Sequence, residues 1–305
     1  MFRPSLPVPP ISKTERAPRT AVPCRLLSTG GVVAPTSATQ KASPRLTNQG
    51  LDFCSLARQP NMSATLVFSP SNVSTWPVWA VAGFCTAVAL GLEVLSHLVP
   101  LLFGSAGRIE ERGKSLEKLE GVDNAFITVN KGLTMLFVYH LIQVTYHSKT
   151  IRWSPDELTL GNSLGSLVAF YIFYDLLYMS FHWLLHVPAL YKYVHKHHHR
   201  QKNPSRGNLD AINVHPFEFV VGEYIHLLTI YVIPCHIYAV VFFILAGGIL
   251  ASLNHTRFDV NIPYVYSVKA HDVHHHLPRS NYGQYTMFWD RLFGTYRAYS
   301  EAKDE

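Results

Sequence analysis

Fourteen of the 17 histidines in this 305-residue chain lie between His182 and His276, and eight of them form three boxes. The first is His182-Trp-Leu-Leu-His186, the second His195-Lys-His-His198-His199, the third His271-Asp-Val-His274-His275. Neutral imidazole is the commonest protein ligand for redox-active first-row metals. Eight of them among apolar segments point to more than one ion. Structural zinc fits poorly, because it takes four ligands and usually includes cysteine. The four cysteines (Cys24, Cys54, Cys85, Cys235) contain no C-x2-C pair, which argues against a thiolate zinc site, an iron–sulfur cluster or a disulfide framework. Nitrogen ligands suit iron, and positions left open would bind O2.

Helical spacing sets the expected geometry. Residues four apart share a helix face, so His182 and His186 can aim at one point. In box two, His195, His198 and His199 share a face at i, i+3 and i+4, while His197 points away; a shifted register using His197 and His198 stays open. Box three repeats the pattern with His271, His274 and His275, leaving His276 at the surface or behind the ligands. Asp175 lies seven residues before His182 and is expected either to orient a histidine or to be a hydrogen-bonded carboxylate of its span. Asp272, inside box three, is better placed to support a ligand than to be one.

The elements that carry these residues are apolar. The chain is 48% apolar and 15% charged, a membrane-like composition. Trp76–Gly104, a segment from about Ala125 to Tyr146, and Leu160–Leu185 each read as a span. Phe217–Leu253 is about twice the ~20 residues of one span, with Pro234 near its middle, so it reads as a helical hairpin dipping into the bilayer and returning. Glu93, His97, Lys131, His140, Asp175, Glu223 and His226 fall inside these spans, where ionisable groups tend to face a bundle interior. For His97 and His140 a hydrogen-bonded or interfacial place is favoured over a ligand role. The fold expected is therefore an all-α integral membrane protein, with four to five transmembrane or hairpin helices under a cytosolic histidine-rich helical cap. Lys192, Lys196, Arg200, Lys202 and Arg206 around box two make that side cytosolic by the positive-inside rule.

Charge is unevenly spread. Residues 1–61 hold eight Lys/Arg against Glu15 and Asp52, and the rest of the chain is neutral, so a nucleic-acid-binding role loses its electrostatic support. The segment 1–61 is rich in Ser, Thr, Pro and Ala and resists packing. It reads as a disordered extension upstream of Met62 or as an organelle transit peptide. Residues 62–124 form an N-terminal membrane segment and cytosolic loop, 125–300 the catalytic domain, and 301–305 a tail. The competing function class is a histidine-rich metal transporter or sensor. That would want ligands near the bilayer midplane, whereas boxes two and three fall beyond the spans.

These motifs resemble the sterol desaturase and fatty acid hydroxylase superfamily of membrane di-iron oxidases. The likeness covers about residues 125–300. It includes the order of the boxes, Tyr191-Lys-Tyr-Val-His195-Lys, and Asn213-Val-His215-Pro216. The closing run from Asn281 through Trp289-Asp290-Arg291 to Gly294-Thr-Tyr-Arg is most similar to sterol C5-desaturases. The resemblance implies a ninth ligand, His255, because Asn254-His255-Thr-Arg-Phe-Asp259 resembles the element before box three, with Thr256-Arg257 in place of Ser-Gly. It places Asn254 beside the site and makes His215 a ligand or a partner of one. It further implies two iron ions and O2-dependent oxidation of a lipid C–H bond, ending as an alcohol or a double bond. A sterol is the first substrate class, with fatty acyl chains, sphingoid bases or carotenoids as alternatives. Electrons would come from an external cytochrome b5 or reductase, since no fused haem motif and no G-x-G-x-x-G after a strand pattern occurs. Residence would be in the endoplasmic reticulum, or a plastid or other organelle if 1–61 is a transit peptide. The tail Glu301–Glu305 carries no retention signal.

Overall fold

The computed structural model describes residues 76–113 and 115–300. The expectations for residues 1–61, a start at Met62 and the tail 301–305 lie outside the described residues. Four helices are long and apolar enough to cross a membrane. α1 (Val78–Phe103) follows Pro77 and turns Trp79, Leu90 and Val94 outward. α2 (Gly121–His147) starts earlier than the hydropathy suggests, so a boundary at residue 125 would cut this helix. The reason is a capping box: the Glu120 N–H donates to Asp123 Oδ2 at 2.7 Å, and the Glu120 side chain caps in return. β1 (Ile151–Arg152) and a 3-10 turn at Pro155–Glu157 follow. A π-helical turn, Gly161–Gly165, then leads into α3 (Ser166–Leu185), and the two form the third span.

Beyond α3 the chain is irregular. α4 (Pro188–Leu190) runs into a π turn at Tyr191–His195, a 3-10 turn at His198–Arg200, and the short α5 (Asn208–Ala211). α6 (Pro216–Val232) and α7 (Ile237–Asn254) form the hairpin about Pro234. At 17 residues, α6 is about 25 Å long, a little under the ~30 Å of a hydrocarbon core. Between them β2 (Cys235–His236) pairs parallel with β1, Ile151 opposite Cys235, which ties the hairpin tip to the loop after α2. β3 (Asn261–Ile262) and β4 (Tyr266–Ser267) pair antiparallel and lead into α8 (Val268–His276), which carries box three. α9 (Phe288–Phe293) closes the described chain.

The core lies where α3, α6 and α7 meet. Phe170 and Tyr174, Ile225 and Ile230, and Ala239, Val240 and Phe243 are buried together with Tyr285. A smaller cluster of Val99, Ile109, Leu253, Tyr266 and Val268 joins the end of α1 to the cap. Not every polar span residue faces inward as expected. Glu93 and His97 pair at 3.1 Å on an exposed face of α1, one turn apart. His140 instead hydrogen-bonds Tyr224 at 2.5 Å.

The run from Ser280 to Arg297 is held by two buried side chains. Asp290 accepts the N–H groups of Tyr282 and Gly283, each at 2.8 Å, and the Thr295 hydroxyl at 2.6 Å. Asn281 sits at φ 53°, left-handed backbone that asparagine tolerates. It donates to the Ala270 and Arg297 carbonyls and accepts the Arg297 N–H. Asp290→Ala would leave three donors without their charged acceptor. A loss of about 3 kcal/mol or more is expected, read as a lowered thermal midpoint of the purified protein.

Candidate metal centre

The nine histidines singled out from sequence gather into two groups. His182, His186, His195, His199 and His274 form one; His198, His255, His271 and His275 form the other. Within each group the candidate ligand atoms lie within 4.8 Å of one another. All are buried except His186, which is partly exposed at the end of α3.

The boxes do not each serve one point. The i, i+4 pairs stay together: His182 with His186, His195 with His199, His271 with His275. The i+3 members cross over, so His198 joins the second group and His274 the first. Box three does this from the regular helix α8, whereas box two is not a regular helix. The π turn ends at His195 and a tighter 3-10 turn starts at His198, a local change of pitch of the kind found at functional sites. His197 points out of both groups, as expected. It donates to Asn213 Oδ1 at 2.9 Å and lies 3.0 Å from Asp123 Oδ1, tying box two to α2.

Hydrogen bonds fix which ring nitrogen faces inward. His182 Nδ1–H donates to the Tyr282 carbonyl at 2.8 Å, His274 Nδ1–H to Ser280 at 2.7 Å, and His255 Nδ1–H to Ala251 at 2.8 Å. A carbonyl only accepts, so the proton sits on Nδ1 and Nε2 keeps its lone pair. His195 Nδ1 bonds Glu218 Oε1 at 2.8 Å, which has the same effect. The Nε2 atoms then face one another. In the first group His182–His195 and His195–His199 are 3.0 Å apart, His199–His274 3.1 Å and His186–His274 3.3 Å. In the second, His198–His255 is 3.3 Å, with His255–His271 and His271–His275 at 3.1 Å. Lone pairs in such contact repel unless something positive lies between them. Imidazoles about 2.1 Å from a shared ion bring neighbouring nitrogens to about 3.0–3.4 Å, so the donor set fits one cation per group.

Burial, and secondarily the other histidines, pushes the pKa of His195, His198, His199, His271, His274 and His275 well below the usual imidazole value. Burial takes His186 down to about 3. The rings are therefore neutral at physiological pH, the form in which imidazole binds metal. Lys202 donates to the His275 carbonyl at 3.0 Å, placing a cation at the C-terminal end of α8.

Of the two readings of Asp175 the hydrogen-bonded carboxylate holds, and three other expectations are corrected. Asp175 touches no histidine: its carboxylate accepts the Tyr285 N–H at 3.0 Å and the Thr286 N–H at 2.5 Å, which ties the closing run to α3. Asp272 likewise supports no ligand. It bridges Arg257, a fully buried guanidinium, and Arg112, 3.1 Å away. Arg257 also donates to the Glu110 carbonyl, so the departure from Ser-Gly at 256–257 supplies a clamp between the cap and the loop after α1. Asn254 bonds the Gln284 carbonyl at 2.8 Å instead of a histidine. His215 joins neither group; it caps α6 by accepting the Phe217 N–H at 3.2 Å. His276 stands 3.9 Å from Asp272, partly buried.

Sequence reasoning missed Glu218 and the carbonyls of Ser280 and Tyr282. An acid in the first turn of a largely apolar helix, two residues after Pro216, was the available signal for Glu218; carbonyls leave no trace in side-chain chemistry. A cavity of about 550 Å³ reaches the second group at His198 and His255. Phe84 and Leu92 of α1, Phe137 of α2, Phe219 of α6 and Ile244 of α7 wall it.

The comparisons agree with one another. A fatty acid hydroxylase family model matches residues 167–295, which contain both histidine groups. A Delta(7)-sterol 5(6)-desaturase of Gibberella zeae is 30% identical over 224 residues, covering 72% of this chain and 68% of that protein. A Delta(7)-sterol 5(6)-desaturase of Leptosphaeria maculans is 32% identical over 133 residues, 42% of this chain and 36% of the relative. A cholesterol 25-hydroxylase-like protein of Caenorhabditis elegans is 31% identical over 184 residues, 55% and 58% respectively. The match to the last two thus spans well under two thirds of their length. No solved structure matches. With the ordered boxes, the four apolar spans and these relatives together, the chain belongs to the sterol desaturase and fatty acid hydroxylase superfamily.

Proposed function

We propose that this protein oxidises a C–H bond of a membrane lipid with O2, and that two iron ions are held by the nine clustered histidines. The observation that carries the reading is the pairing of two inward-facing imidazole groups with an apolar cavity that touches one of them. Its volume falls within the ~300–1,000 Å³ of small-molecule sites. The relatives' names favour a sterol as substrate. They include both desaturases and a hydroxylase-like protein, so either outcome belongs to this chemistry. The ions would supply the redox chemistry of O2 activation.

The chain's own residues supply position and exclusion. The Tyr282, Ser280 and Ala251 carbonyls and Glu218 hold four rings in the Nδ1–H form and aim their Nε2 atoms inward. The cavity walls hold a lipid against His198 and His255 and keep water away. Exposed Lys192 and Lys196, beside box two, suit an acidic electron donor such as a cytochrome b5. A membrane of the endoplasmic reticulum, with the cap on the cytosolic side, is the location this reading favours.

Three outcomes follow. In cells lacking sterol C5-desaturation, expression of the wild-type chain is expected to change the sterol profile. His274→Ala is expected to abolish that change and to lower bound iron from about two per chain. An unchanged profile from well-expressed wild-type protein moves the substrate to acyl lipids, and full activity with His274→Ala sinks the metal assignment. Glu218→Gln keeps the shape but weakens the hold on His195. It should cost about 10- to 100-fold in activity or metal affinity, measured by turnover and by metal competition.

The third outcome concerns pH. The folded-state pKa of the buried histidines lies below the unfolded value of about 6.5. Above that value neither state takes up protons and stability is complete. As pH falls through it, the unfolded chain binds protons that the folded chain refuses, so stability is lost. The thermal midpoint of metal-free protein should fall between about pH 7 and pH 5; a flat profile would contradict buried neutral rings.

A further inference from the structure

The cavity wall carries a polar cluster away from the histidine groups. His226, on α6, bonds the Gly222 carbonyl through Nδ1 at 3.2 Å, which leaves the Nε2 lone pair free to accept. The Tyr285 hydroxyl donates to it at 3.0 Å. The tyrosine oxygen then keeps lone pairs that can accept from a ligand. The placement is built. Asp175 holds the Tyr285 backbone, and Tyr174 packs its ring 4.2 Å from His226 and 5.0 Å from Tyr285, centre to centre. A Cβ on residue 247 would stand 2.8 Å from the Tyr285 hydroxyl, so Gly247 makes the room. Glu223 lines the same cavity within electrostatic reach of the Tyr174 and Tyr285 hydroxyls. Among the described residues, no hydrogen bond or ion pair engages its carboxyl.

We propose that Tyr285, His226 and Glu223 form a subsite for a hydroxyl group of the bound lipid. Resting on the reading of this cavity as the lipid site, the inference narrows the substrate class to lipid alcohols. The chemistry matches: an O–H can donate to the Tyr285 oxygen or the Glu223 carboxyl, both in an otherwise apolar wall. A plain hydrocarbon would leave the Glu223 carboxyl dry and unpaired, which is costly. The geometry adds a second constraint. Glu218, which bonds His195, lies on the same helix five residues before Glu223 and eight before His226. Those offsets are about 7.5 Å and 12 Å along the axis. The subsite therefore lies further along α6 than the residue that holds His195.

The test is equilibrium binding to the full chain in lipid nanodiscs, using two probe pairs: cholesterol with 5-cholestene, and hexadecan-1-ol with hexadecane. At least one alcohol is expected to bind about three- to tenfold tighter than its deoxy partner, the range of one neutral hydrogen bond. Tyr285→Phe and Glu223→Gln should each bring that ratio towards one, with iron content unchanged. Failure of the wild-type protein to discriminate within either pair overturns the subsite. So does a folded variant of either kind that keeps the wild-type ratio. A discriminating protein that makes no oxidised product supports the subsite and counts against the oxidation reading.

Discussion

Nine imidazoles turned lone pair towards lone pair have no attraction of their own to hold them. The rings of each group approach one another at 3.0–3.3 Å, and four of them have the outer nitrogen engaged by the protein. Everything else in the fold answers to this arrangement. Backbone carbonyls and one carboxylate set the tautomers, burial keeps the rings uncharged, and helix pairs bring the pieces together from residues 182 to 282. Boxes two and three each serve both groups, box three from a regular helix and box two through a change of pitch.

The spans and the cap are joined by buried charge as well as by apolar packing. Asp175 reaches from α3 to the backbone of the closing run, and Arg257 reaches through Asp272 towards the loop after α1. Such links are directional. A hydrophobic core tolerates sliding, whereas a carboxylate accepting two successive N–H groups fixes one register. The site is therefore built on the ends of spans, whose positions the lipid sets, and finished by loops whose positions these acids set.

Much of this was legible in the sequence because its signals are periodic or chemically rare. Hydropathy marks α1, α3 and the hairpin about Pro234, and the spacing of the boxes identifies every histidine in the two groups once family likeness adds His255. The start of α2 was misjudged because Glu120 and Asp123 form a cap that hydropathy does not see. Asp272 was misread, and Asp175 was left between two readings, for a common reason. Their spacing relative to the histidines was right for support, but the partners that claimed them, a backbone turn 110 residues beyond Asp175 and the guanidinium groups of Arg112 and Arg257, leave no trace in that spacing. Glu218 was passed over as a neighbour of Pro216, although its burial beside His195 gives it a direct part in the site.

The long sequence separation between His182 and the Tyr282 carbonyl bears on how the protein matures. A nascent chain exposes its first box, and threads it into the bilayer, long before the group that sets that ring's tautomer exists. The clusters that His195 and His198 join are likewise completed only by His274 and by His271 and His275 of box three. Neither cluster is complete before box three has emerged from the ribosome, and the His182 tautomer is not set before residue 282 has. With the clusters read as ion sites, as proposed above, capture is a late event belonging to a chain whose spans are already in place.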